Sequence, residues 1–397
     1  MKLGLDEGAQ AFREELGRWL DENWPAEQER SEPKRSSGHL PGWARRWQRR
    51  LFDHGWLVPR WPPELGGRNA TAAQQMIYSE ELARRRIPRS LNPQGLSIIA
   101  PAIIQYGNED QKQRYALPTL KGEITWCLGM SEPGAGSDLA SLSTRAVLEQ
   151  DRFVVDGQKV WTSGAQDADY CLCFVRTDPE APKHRGISAL IVDMASAGIA
   201  VRPLPDLTDP HHADFNEVFF EGVEVPAENL VGELNQGWAI TQGSLSLERG
   251  MLWVEAVCSV ERGLDALVEL ARRRSETGPQ QAAMADQVAS LCIDAWAMRV
   301  LGYRGFAKFA RGEASPEHTI LKLFSSEAER RVYLLGTEML GPDALDMGLE
   351  GPSDASGWMG GPWAVDYLRS FSGTIAGGTS EIQRNIVAER VLGLPRS

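Results

Sequence analysis

The spacing of hydrophobic positions changes twice along the chain. Over residues 1–120 they recur every three or four residues. AFREELGRWL, GWARRWQRRLF, AAQQMIYSEELARR and NPQGLSIIAPAIIQY each carry an apolar stripe, which predicts amphipathic helices. Pro25, Pro33, Pro41 and Trp61-Pro62-Pro63 punctuate them. Near Glu123 the helical period gives way to short runs rich in β-branched and aromatic residues: EITWCLGM, STRAVLE, RFVV, KVWTSG, YCLCFV, ISALIVDM, GIAVRPL and NEVFFE. Asp156-Gly157, between RFVV and QKVW, has the composition of a two-residue hairpin turn and predicts one there. Strands of this kind predict a compact β-barrel or sandwich over 121–232. From Gln236 the helical period returns in four blocks, 236–274, 280–312, 316–340 and 378–391, predicting an antiparallel bundle. The fold class that follows is α+β and multidomain, with a helical domain over 1–120, a β domain over 121–232 and a helical bundle over 233–397.

Length and charge narrow the function. A chain of 397 residues has room for two or three cores. Its net charge of −12 argues against nucleic acid as a partner, because phosphate binding needs a basic footprint. The clusters Arg45–Arg46, Arg49–Arg50, Arg84–Arg86 and Arg272–Arg274 all lie in helix-like stretches and read as solvated helix faces. The five cysteines (Cys127, Cys171, Cys173, Cys258 and Cys292) are odd in number and irregular in spacing, which fits a reducing compartment. Cys171 and Cys173 fall on one face of a strand, and without a second pair they read as apolar packing rather than zinc ligands. MKLGLDEGAQ has no apolar signal core, and no run reaches the roughly 18 apolar residues of a membrane span. A cytoplasmic protein with no membrane partner is expected. His211-His212, near Asp209 and Asp214, reads as a polar loop, so no metal is expected.

Three segments carry candidate chemistry. Ser131-Glu132-Pro133-Gly134-Ala135-Gly136-Ser137-Asp138 leaves a predicted strand, and its glycines allow close backbone approach to an anion. It is not a dinucleotide fingerprint, since Leu139 stands where the third glycine belongs, and there is no Walker lysine. Lys159-Val160-Trp161-Thr162-Ser163-Gly164 places an indole beside two hydroxyls at a strand end. Thr374-Ile375-Ala376-Gly377-Gly378-Thr379-Ser380-Glu381 is a glycine loop opening a helix, with Thr379 or Ser380 as N-cap and a helix N-terminus suited to an anion.

Together these segments closely resemble the acyl-CoA dehydrogenase family. The resemblance extends through GWLVPRWPPELGG, APAIIQYGNEDQKQRYALP, FNEVFFEGVEVPAENLVGE and NQGW, nearly the whole chain. It implies an N-terminal helical domain, a central β-barrel and a C-terminal four-helix bundle, with FAD between barrel and bundle. It also implies flavin contacts for Leu128, Met130, Ser131, Gly136, Ser137, Trp161, Thr162 and Ser163, and for Gly378, Thr379, Ser380 and Glu381. Ser137 would also lie near the CoA arm of the substrate. FAD would hold the hydride chemistry while the protein orients it.

Many family members carry the catalytic glutamate directly before Gly-Thr-Ser, where this chain has Gly377. A minority pattern, similar to isovaleryl- and long-chain acyl-CoA dehydrogenases, places it on the first bundle helix. Here that helix reads Leu245-Ser246-Leu247-Glu248-Arg249-Gly250. Glu248 shares a helical face with Leu245, Met251 and Leu252, where desolvation would raise its pKa toward a useful range for a base. The resemblance thus implies Glu248 as base, Arg249 beside it and the Gly377 N–H as a donor to the thioester oxygen. The substrate-facing set is Ser137, Leu245, Glu248, Arg249 and Gly377. Glu255 is the weaker alternative.

Family segments that grip the FAD diphosphate from a neighbouring subunit correspond to Arg274-Ser275-Glu276-Thr277-Gly278 and Glu338-Met339-Leu340-Gly341. Arg274 keeps the family arginine, whereas Glu338 brings negative charge toward a diphosphate. This departure resembles heteromeric acyl-CoA dehydrogenases of steroid side-chain breakdown. Expected partners are an acyl-CoA, an electron-transfer flavoprotein and either further copies of this chain (a homodimer or tetramer) or a second acyl-CoA dehydrogenase chain in a heterotetramer. Glycine at 377 and 250 leaves room for branched or bulky acyl groups, sterol side chains included. The competing readings are a non-catalytic or half-site subunit, and an oxygen-using relative of the nitroalkane oxidase or flavin monooxygenase type.

Overall fold

Helix α1 (Glu7–Asn23) buries Ala9, Phe12, Leu16 and Leu20, the three- and four-residue spacing of one helical face. In the computed structural model, residues 7–208, 213–244, 252–273, 279–313, 315–346 and 361–395 are described. Helix α2 (Gly42–Asp53) buries Trp43, Ala44, Trp47 and Leu51. Helix α3 (Ala72–Arg85) starts in a capping box, where the Thr71 hydroxyl accepts from Gln74 N and the Gln74 side chain accepts from Thr71 N. Helix α4 (Ala100–Tyr106) and short helical turns over 109–120 precede eight strands among the described residues. These are β1 (Trp126–Gly129), β2 (Arg145–Glu149), β3 (Arg152–Lys159), β4 (Tyr170–Arg176), β5 (Ile187–Asp193), β6 (Ile199–Pro203), β7 (Asn216–Pro226) and β8 (Leu230–Val231). Helices α5 (Gly237–Ser244), α6 (Leu252–Arg273), α7 (Pro279–Ala310), α8 (Glu317–Leu340), α9 (Trp363–Ile375) and α10 (Ser380–Ile386) complete the chain. Among the described residues, no helix is long and apolar enough to cross a membrane.

The chain forms two compact units that interleave in sequence. One comprises Asn23–Ala70 and Arg89–Glu248; the other comprises Met1–Glu22, Thr71–Pro88 and Arg249–Ser397.

The first unit is built on one sheet of order β6-β7-β3-β2-β4-β5-β8, with β1 lying parallel to β4. Phe153, Val155, Cys171, Cys173, Leu190, Val192, Val218, Phe220 and Val223 pack together from β3, β4, β5 and β7, so the sheet curls around a shared core. The opposite face of β4 and β5 sends Leu172, Phe174, Ala189 and Ile191 against Ile99, Ile103 and Trp126. Burial on both faces explains why YCLCFV and ISALIV read as continuous apolar runs rather than alternating ones. Cys171 and Cys173 share the inner face and are free thiols.

The expected turn at Asp156-Gly157 is absent. Strand β3 runs through it from Arg152 to Lys159, pairing with β7 on one edge, and the register shifts between Val155 and Gly157. Gly157 takes φ +148, and a Cβ there would meet the Thr144 backbone at 2.7 Å. The glycine therefore serves a bulge, not a hairpin. The true β2–β3 turn is Gln150-Asp151, between the paired Glu149 and Arg152.

The second unit is a helical bundle. Trp253, Val257, Leu264, Leu291, Met298, Leu321, Val332, Leu335 and Trp363 form its core from α6, α7, α8 and α9. Two glycines admit tryptophans: a Cβ on Gly302 would lie 2.2 Å from Trp253, and one on Gly336 would lie 2.0 Å from Trp363. The fourth bundle helix is therefore α9, not the 378–391 block that periodicity suggests. Its buried residues are Trp363, Val365, Asp366 and Ser370, so half of its inward stripe is polar and escapes an apolar count. Residues 378–391 form the shorter α10 and a wide turn at Val387–Val391.

Candidate active site

In the first unit, β1 ends at Gly129 and hands the chain through Met130 and Ser131 into a tight turn. Glu132 and Ala135 exchange backbone bonds of 2.9 and 3.0 Å. Gly134 within the turn and Gly136 just after it face open space, Ser137 is exposed, and Asp138 receives Lys183 Nζ at 2.8 Å. The end of β3 runs alongside, with Val160 N donating to Ser131 O at 2.9 Å. The structure thus brings the first two motif segments side by side.

Trp161 follows with φ +57, a left-handed conformation unusual for a bulky residue. Its indole is 62% exposed and touches the edge of Phe215 at 5.8 Å between ring centres. Next to it the chain turns inward. Thr162 N donates to Asn216 O at 3.0 Å, and Asn216 Nδ2 returns a bond to Thr162 O at 3.1 Å. The Thr162 side chain is buried, yet among the described residues its Oγ1 has no hydrogen-bond partner. Ser163 beside it is half-buried.

In the second unit, Gly377 and Gly378 take φ +67 and +100. Gln383 Nε2 donates to Gly377 O at 3.2 Å, and Lys322 Nζ donates to Gly378 O at 2.6 Å and to Gly373 O at 3.1 Å. The N-cap of α10 is Thr379, whose hydroxyl accepts from Ile382 N at 3.2 Å. Ser380 Oγ donates to Glu327 Oε1 at 2.7 Å, while Glu381 points outward near Arg384.

The sequence matches three family domains in order: the acyl-CoA dehydrogenase N-terminal domain over residues 6–123, the middle domain over 127–223 and the C-terminal domain over 235–392. The chain is 36% identical to acyl-CoA dehydrogenase IpdE1 of Mycobacterium tuberculosis over 361 residues, 89% of this chain and 88% of that one. The chain belongs to the acyl-CoA dehydrogenase family. Its fold is also that of the Tcur3481-Tcur3483 steroid ACAD (TM-score 0.82, 31% identity) and of the ChsE4-ChsE5 complex from Mycobacterium tuberculosis (TM-score 0.81, 29% identity), each covering 100% of both chains. The protein is therefore an oxidoreductase of acyl-CoA dehydrogenase type, with the family's helical, β and helical domains.

Leu245, Glu248, Arg249 and Arg274 lie outside the described residues, as do Asp209, His211 and His212. Among the described residues, no group of His, Cys, Asp and Glu could hold a metal. Glu255 is exposed on α6, 3.5 Å from Arg262. Residues present in this acyl-CoA dehydrogenase fit a bound flavin on two counts. Thr162 offers an unused buried hydroxyl, and the glycines at 134 and 136 leave an open approach to the strand end.

Sequence reading missed the groups that hold this surface in place. Lys159 Nζ donates to Glu132 Oε1 at 2.8 Å and to Met130 O at 3.1 Å. Glu132 also accepts from Thr144 N at 2.8 Å, Ser143 N at 2.6 Å and Ser143 Oγ at 2.8 Å. Burial would raise the Glu132 carboxyl, but Lys159 and these donors outweigh it and hold it at about 2. The signal was present: Lys159 sits at the inward parity of a core strand set by Phe153 and Val155.

Proposed function

We propose that the chain is an FAD-dependent dehydrogenase that introduces an α,β double bond into an acyl-CoA thioester, with Glu248 as the base. The observation that carries the cofactor assignment is the partnerless Thr162 hydroxyl, buried behind an outward-facing Trp161. Leu128, Met130, Ser131, Gly136, Ser137, Trp161, Thr162 and Ser163 would hold FAD in the first unit; Gly378, Thr379, Ser380 and Glu381 are the further FAD contacts that the family resemblance implies. When bound, FAD supplies the acceptor for the substrate's β-hydride. The chain's own residues handle the α-proton.

Gly377 supports a base placed elsewhere. Its φ of +67 is a conformation that L side chains rarely adopt, so this turn suits glycine and disfavours a glutamate. By the family resemblance and the sequence spacing, Glu248 would take the α-proton and Arg249 would support its charge. The Gly377 N–H enters none of the turn's backbone bonds and is free to donate to the thioester oxygen, which makes the α-proton more acidic. Ser137, exposed at the end of the glycine turn, meets the CoA arm. Glycine at 377 and 250 leaves room for a branched or bulky acyl group, and the electron acceptor that the resemblance implies is an electron-transfer flavoprotein.

The test is an absorption spectrum of the purified chain, followed by anaerobic addition of an acyl-CoA. A flavin band that bleaches on addition supports the reading; a chain that takes up no FAD removes it.

A second reading concerns assembly. Glu338 is exposed at the end of α8, where many family members present a glutamine to a neighbour's FAD. A carboxylate there repels a diphosphate, which favours a half-site subunit paired with a second acyl-CoA dehydrogenase chain. One FAD per chain in a homo-oligomer would rule this out.

A further inference from the structure

In the first unit the surface assigned to the flavin comes from two chain segments, and what fixes their relative placement is a buried charge pair. Lys159 is 0% exposed and Glu132 4%. Lys159 bonds to Met130 O, while the next residue, Val160, bonds to Ser131 O. Two adjacent bonds of this kind fix rotation as well as separation. The carboxylate's bonds come from Lys159, the Ser143 and Thr144 backbone N–H groups and the Ser143 hydroxyl.

We infer that Lys159 and Glu132 are positioning residues for the cofactor: they staple the Met130–Ser131 peptide to the Val160–Thr162 segment and set its strength as a donor. The inference rests on the FAD assignment. Stability alone does not account for the pair, because well-packed apolar residues in place of a buried ion pair are often neutral or stabilising. Placement does. Trp161 is largely exposed apart from its edge contact with Phe215, so its left-handed backbone, one residue beyond Val160, helps set where the indole points. On the other side, the Lys159 ammonium draws electron density from the Met130 carbonyl. The N–H of the same peptide, that of Ser131, becomes a stronger donor. That N–H enters none of the turn bonds around it.

The experiment uses the full chain with FAD itself as the probe, comparing wild type, the Lys159→Met/Glu132→Gln double variant and Ser143→Ala. The double variant removes both charges together and so avoids a lone buried ion. It is expected to keep the wild-type far-UV circular dichroism while its FAD dissociation constant rises about tenfold, the equivalent of about 1.4 kcal/mol. The visible band of its bound flavin should shift, and its midpoint potential should become more negative, because the Ser131 N–H, no longer polarised through the Met130 carbonyl, is a weaker donor to the reduced flavin. Ser143→Ala, at an exposed position, removes one donor to Glu132 and carries the same test should the double variant fail to fold. Its shift should have the same sign and a smaller size. A bound flavin with wild-type band, affinity and potential in every folded variant overturns the inference and leaves the FAD assignment standing. A wild-type chain that binds no FAD overturns both.

Discussion

Lys159 Nζ lies 2.8 Å from Glu132 Oε1, with both side chains buried. The pair joins the end of β1 to the end of β3, and its electrostatics predict an acid limit to stability. Glu132 is held at about 2 in the folded chain, below its ordinary value of 4.5. A depressed carboxyl contributes stability that is fully present above its unfolded pKa and lost as pH falls through its folded one. The loss should therefore fall between pH 4.5 and about 2, and amount to about 3 kcal/mol. Melting temperatures across that range check it. In the Lys159→Met/Glu132→Gln variant this component of the acid dependence should be missing.

Thr162→Val should separate stability from cofactor affinity. The Thr162 hydroxyl is buried without a partner, so its removal relieves a desolvation penalty rather than breaking a bond. The melting temperature of the FAD-free chain should hold or rise. FAD binding should weaken about three- to tenfold, the worth of one hydrogen bond. Titration of the apoprotein with FAD measures the second quantity, and unchanged affinity would exclude Thr162 from the cofactor site.

Gly336→Ala tests how the bundle closes. The added methyl would lie 2.0 Å from the Trp363 ring, so α8 and α9 must separate or the indole must move. A cost of about 1–3 kcal/mol is expected. Adding Trp363→Phe should recover part of it, and a thermal-melting double-mutant cycle would show the coupling.

Much of the fold was legible because its stripes were apolar. AAQQMIYSEELARR coincides with α3, and the doubly buried strands announced themselves as continuous runs. The failures share a cause: tertiary partners overrode a local rule. Asp156-Gly157 has the chemistry of a turn, but pairing with β7 carries the strand straight through it. Helix α9 turns Asp366 and Ser370 inward, so its stripe looks half polar. At the candidate site, the sequence named the Ser131 and Trp161 segments but not the link between them. Glu132 and Lys159 are 27 residues apart, and nothing local marks their pairing. Nor does composition reveal that Trp161 adopts a left-handed backbone.

The central claim is that Glu248 is the base of a flavin-dependent acyl-CoA dehydrogenation. It is tested most directly by anaerobic reduction of the FAD-loaded chain with isovaleryl-CoA, palmitoyl-CoA and a steroid side-chain CoA thioester, in wild type and Glu248→Gln. At least one thioester is expected to bleach the wild-type flavin. Glu248→Gln should keep its flavin band and lose about 100- to 10,000-fold in reduction rate, the usual contribution of a general base. A Glu248→Gln chain that bleaches at the wild-type rate would contradict the claim.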